Sequence, residues 1–259
     1  MTYDDSYLFV ALGYDPTRML KKVVGVNWDV GTSFEDIWAG GANLNWPQAA
    51  QKLEIISSDA ADDYGSGDNA WVVRLCGLNE NWELIKDIDV QLQGLSASAQ
   101  TTEQFIRVLD ARVIQVGSYG ASNKGTLTIR GADGSTLFGK IGVSPDGEGT
   151  GQLLSSAFTI PANWTGFFLG GTVYVAAAKP ASVEVKQRLS ADVVSSPFGG
   201  MSYWVTAFGI EGPFAIPMKG PSSPIPSKTD LWAAAKGDSV TSKISIEYEL
   251  LLVANSVLP

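Results

Sequence analysis

Alternation with a period of two is the feature that most limits what this chain can become. Ile244, Ile246, Tyr248, Leu250 and Leu252 share one parity, while Lys243, Ser245, Glu247 and Glu249 share the other. Side chains of an extended strand point to opposite faces in turn, so this pattern specifies a strand with one dry and one wet face. The same holds for Trp82, Leu84, Ile88, Val90 and Leu92 against Glu83, Asp87, Asp89, Gln91 and Gln93, with Ile85 and Lys86 as exceptions. Val183, Val185 and Leu189 alternate with Glu184, Lys186, Arg188 and Ser190. Strands wet on one face belong to antiparallel sheets.

Other stretches are apolar on both parities and read as central strands: Trp71–Gly77, Phe105–Leu109 and Gly166–Val175, the last with a glycine bulge or bend. Thr102–Phe105 is also compatible with a short helical turn. Turn formers separate the strands at short intervals. Asp133-Gly134, between Leu127–Ile129 and Leu137–Phe138, is the strongest hairpin signal. The expected fold is therefore all-β, an antiparallel β-sandwich or jelly roll. Residues 1–22 read as an N-terminal arm or edge segment and 23–259 as the sandwich body. The turn-rich run 144–151 marks either a subdivision of that body or a long loop within it. Trp28, Trp38 and Trp46, separated by glycines, point to a loop region anchored by rings.

Composition narrows the chemistry. The 259 residues include no histidine and one cysteine, Cys76. The commonest general base and zinc ligand are missing, every Ser-His or Cys-His scheme is excluded, and no internal disulfide can form. Cys76 reads as an inert core thiol. A formal charge of -9 argues against binding a phosphate backbone. The apolar runs are too short to span a bilayer as a helix, and the acidic start lacks a secretory signal.

Candidate sites are sparse. Asp59–Asp68 gathers carboxylates between two strands, but its spacing is not that of an EF-hand, so a solvated acidic turn is the preferred reading. Asp87, Asp89 and Glu83 share the wet face of a strand, where no apolar pocket would raise a pKa for acid–base work. Trp164, Tyr203 and Trp204 are candidate glycan-stacking rings, with core packing or a subunit interface as the preferred reading. Leu8, Phe9 and Leu12 form a short apolar run before the basic Arg18–Lys22 patch and are candidate interface residues. The Pro213–Pro226 stretch is a preset extended segment suited to packing across an interface. No cofactor or metal is expected.

The stretch from Val26 to about Val116 carries a resemblance. Asp29–Gly41, Trp46-Pro47, Ala50–Asp63, Cys76–Trp82 and Phe105–Val108 together resemble a group of virion structural proteins of tailed bacteriophages, common among cyanophages and other marine phages. The likeness covers roughly the N-terminal half and carries no catalytic signature. It implies a non-enzymatic particle component, made in the host cytoplasm and located in the virion. A head decoration or cement protein is the expected role, and a tail-associated spike or fibre binding host glycan is the alternative. The expected partners are other virion proteins, the major capsid protein first, and further copies of the chain, with no direct nucleic-acid or membrane contact.

Overall fold

The computed structural model describes residues 10–176, 179–216, 223–238 and 241–258. The chain begins one sandwich, leaves it to build a second, and returns. Strands β1 (Arg18–Val30) and β2 (Glu35–Asp36) belong to the first. Then β3 (Gln51–Ser57), β4 (Ala70–Leu78), β5 (Leu84–Gln91), β6 (Gln104–Phe105), β7 (Arg107–Val116), β8 (Leu127–Gly131) and β9 (Leu137–Ile141) form the second. The first is completed by β10 (Phe158–Thr159), β11 (Trp164–Val175), β12 (Ala181–Arg188), β13 (Met201–Ile210), β14 (Gly212–Ile216), β15 (Asp230–Gly237) and β16 (Ser242–Ala254). All strand pairs within these sheets are antiparallel. Among the described residues no helix is long and apolar enough to cross a membrane.

The larger sandwich packs the sheet β1-β16-β11-β14 on the sheet β10-β15-β12-β13, with β2 paired to β15. Its core takes Ile244, Ile246, Tyr248, Leu250 and Leu252 from β16, as the alternation demands, with Phe168 of β11 beside them in the same sheet and Val183 and Val185 of β12 facing them. The smaller sandwich packs β6-β3-β8-β9 on β5-β4-β7 around Leu53, Ile55, Leu75, Phe105, Leu127 and Ile129. Each sheet hides one face, so neither could stand alone in water.

Several local expectations acquire a physical cause. The Asp133-Gly134 hairpin joins β8 to β9, with Gly134 at φ 72° and the Asp133 carboxylate accepting from the Ser135 and Thr136 backbone N–H groups. The exceptions at Ile85 and Lys86 mark a bulge. The β4–β5 register shifts between Leu75 and Gly77, and Asp87 takes φ 59°, which lets both Ile85 and Ile88 reach the smaller core. The glycine bend in β11 is a register shift between Phe168 and Gly170. Thr102–Phe105 makes no helical turn. It leads into β6, which pairs with β3, and a break at Ile106 separates it from β7. Cys76 is half-buried rather than a core thiol.

Sheet pairing begins at Arg18. The basic residues Arg18–Lys22 open β1 and pair with Val253–Glu249 of β16. The run 144–151 is a turn inside the smaller sandwich, closed by the Ser144 N–H to the Glu148 carbonyl at 2.8 Å and a Val143–Gly149 bridge. The chain crosses between sandwiches through a two-stranded neck instead. Outgoing and returning segments bond there, from Ala39 N–H to the Leu154 carbonyl and from Ser156 N–H to the Ile37 carbonyl, each at 2.9 Å. Gly25 makes room for this neck, since a Cβ there would stand 2.5 Å from Ser156 N and 2.6 Å from the Ile37 oxygen.

Candidate functional site

Two regions stand out: a buried junction that fixes the sandwiches to one another, and an apolar face on the larger one. At the junction, Asp230 of β15 is fully buried. It meets Arg107, the first residue of β7, at 3.2 Å and Arg188 of β12 at 2.5 Å, while Thr159 Oγ1 donates to it at 2.6 Å. The Arg107 guanidinium also donates to the Pro47 and Ile106 carbonyls. It lies 4.9 Å from the Trp82 ring and 5.2 Å from the Trp46 ring, and Trp46 packs edge-on against Trp232 at 5.4 Å. Burial pulls the Arg107 pKa down, and Asp230 pulls it back up. Charge removed from water is costly unless paired, so this cluster ties the two bodies in one arrangement.

One carboxylate of the acidic loop is similarly committed. Asp62 is fully buried and accepts from the backbone N–H groups of Ala70, Lys124 and Gly125 and from the Ser57 hydroxyl. It is a structural pin for three chain segments. Asp89 pairs with Arg74 at 2.7 Å on the exposed face of β5, and that pairing holds its carboxyl below the usual range. Asp36 is raised by burial, against a backbone N–H bond from Leu44.

The apolar face runs along the β12–β13 connection and β13, the last strand of its sheet. Leu189, Phe198, Met201, Tyr203 and Phe208 are exposed along it. Trp204 and Val205 are consecutive yet both pack toward the larger core, because the register shifts between Val185 and Lys186 and the extra residue makes a bulge. Beside them opens a groove of about 560 Å³, lined by Phe168, Leu189, Trp204, Pro224 and Pro226. Segment 223–226 is held there by paired backbone bonds between Ile225 and Gly166 at 2.8 and 2.9 Å. That end of the Pro213–Pro226 stretch therefore packs on its own sheet.

The structure separates the three candidate stacking rings. Trp204 lies in the groove, edge-on to Phe168 at 5.8 Å. Tyr203 is exposed, 5.8 Å from Lys186 Nζ, and Trp164 is half-buried at the start of β11 against the larger core. Leu12 is 58% exposed, whereas Leu8 and Phe9 lie outside the described residues. Sequence reasoning missed Arg107 and Asp230. The signal was an arginine inside an otherwise apolar strand run, Phe105–Leu109, which requires a buried partner.

No family model matches the chain. No curated protein matches it either. Solved structures with some likeness come from infectious bursal disease virus. The VP2 subviral particle is 11% identical over 93% of this chain and 73% of that one, with a TM-score of 0.23. The T=1 particles derived from the same virus are 13% identical over 94% and 71%, with a TM-score of 0.28. The Gt strain structure is 16% identical over 94% and 74%, with a TM-score of 0.21. Likeness this slight carries no argument about the chain.

Proposed function

We propose that this chain is a non-enzymatic structural component of a virus particle that works by burying surface against neighbouring subunits. Within that role it is a decoration or cement protein of the head, with the major capsid protein as its first partner. The observation that carries the reading is the pairing of a rigid body with an apolar face. Two sandwiches are locked by the Arg107–Asp230–Arg188 cluster, and an apolar surface lies along β13. Cementing needs that combination, because a rigid part loses little entropy on docking and can bridge two subunits without bending. The resemblance of Val26–Val116 to virion structural proteins of tailed phages supports the same role. The commitment of Asp62 and Asp230 to structural bonds supports a role without catalysis.

The groove beside Trp204 supports a second reading, a tail-associated protein that stacks a sugar ring on that indole. Gold-labelled antibody against the chain, imaged on purified particles, separates the two. Label on the head, with particles lacking the chain bursting at lower temperature, fits the cement role. Label on the tail overturns it, and absence of label overturns both.

A further inference from the structure

We infer that two copies of this chain pair through the face formed by residues 189–208. The inference goes beyond the particle role and stands without it, since it is read in purified protein.

Seven of the fifteen large apolar side chains exposed among the described residues fall in this one stretch of twenty positions. Its charge is as unusual as its exposure. From Leu189 to Phe208 the sequence contains a single charged residue, Asp192, in a chain of formal charge -9. Asp192 is neutralised by Lys228 at 2.7 Å. Copies of an acidic protein repel each other, so a self-contact is favoured where no carboxylates are brought face to face. On the same side of the sheet Glu184, which stands across from Thr206, is likewise paired, with Lys186 at 3.2 Å, so this face brings no unpaired carboxylate to its copy.

The area is sufficient. Phe198, Tyr203 and Phe208 are 63%, 55% and 72% exposed. At about 200 Å² per ring they present roughly 380 Å². Val193, Val194 and Met201 are 40–53% exposed, and at about 100 Å² each when fully exposed they add roughly 140 Å². A standard interface buries about 800 Å² per partner, and in homodimers about 65% of that is apolar, or roughly 520 Å². The face therefore supplies the apolar part of one such interface. Bulges at Trp204 and near Gly209 interrupt the free edge of β13. They disfavour a long added backbone ladder, so side-chain burial around a two-fold axis is the mode of contact.

Sedimentation equilibrium of the full chain tests this. The expected mass is that of a dimer, which Phe198→Lys with Phe208→Lys weakens by about 100-fold or more. Tyr119→Lys, on an exposed ring of the smaller sandwich, leaves the dimer intact. If the double variant misfolds, hydrogen exchange on the unaltered protein decides, with protection of 189–208 rising as concentration rises. A monomer at every concentration overturns the inference. So does a dimer that survives the double substitution in a folded protein, one lost in Tyr119→Lys, or protection that rises elsewhere instead.

Discussion

Removing the Asp230 carboxylate is the sharpest test of what holds the two sandwiches together. Asp230→Ala leaves Arg107, itself 6% exposed, without its counter-charge and deprives Arg188 and Thr159 of their acceptor. Breaking a buried pair from one side costs about 3–5 kcal/mol. Two features pull toward the lower end: Arg107 keeps the Pro47 and Ile106 carbonyls, and Arg188 is exposed enough to turn to water. For a protein of this size about 3 kcal/mol corresponds to a loss of roughly 6–12 °C in Tm. Calorimetry reads both that loss and a second signature. Arg107 and Asp230 come from different sandwiches, so a single melting transition should split in two. Adding Arg107→Met removes the stranded charge and should recover part of the loss, because an apolar replacement of a whole buried pair is often neutral. A loss below about 1 kcal/mol, with one sharp transition retained, would refute the reasoning.

Four further outcomes follow from local geometry. Gly25→Ala drives a methyl into the neck and should cost about 1–3 kcal/mol by denaturant titration. Asp62→Ala strands three backbone donors and should cost about 3 kcal/mol or more, with a lower urea midpoint as the readout. Asp133 is held well below the usual carboxylate range, first by the Thr136 hydroxyl, then by backbone N–H groups of Thr136 and Ser135. A depressed folded pKa contributes stability that is complete above the unfolded value of about 3.9 and is lost as pH falls through the folded value. Asp133→Asn should therefore flatten the fall of Tm below about pH 4, and an unchanged acid limb would contradict this. Deleting residues 1–22 strips Arg18–Lys22 from the β16 ladder and should lower Tm, and an unchanged Tm in scanning calorimetry would contradict this.

Strand identity was legible in the sequence wherever one face is wet. Residues 244–252 needed nothing but a two-residue period, because a one-residue slip would turn the whole apolar set into water. The Asp133-Gly134 hairpin was equally legible, since Gly134 adopts its positive φ without a Cβ penalty. What the sequence by itself could not decide was which strands share a sandwich. Alternation records that a face is buried and not which sheet covers it, and both cores draw on the same Val, Ile, Leu and Phe. The insertion of one sandwich into the other rests on long-range backbone bonds such as Ala39 to Leu154 and on the space left by Gly25. The charge partner of Arg107 lies 123 residues away, and no local pattern links the two. Trp204 and Val205, adjacent in sequence, both turn toward the core through a bulge that tertiary register alone fixes. Local sterics and solvent preference act over a few residues and set the elements. Pairing, insertion and the sites that depend on them are settled by contacts that exist once the whole chain has folded.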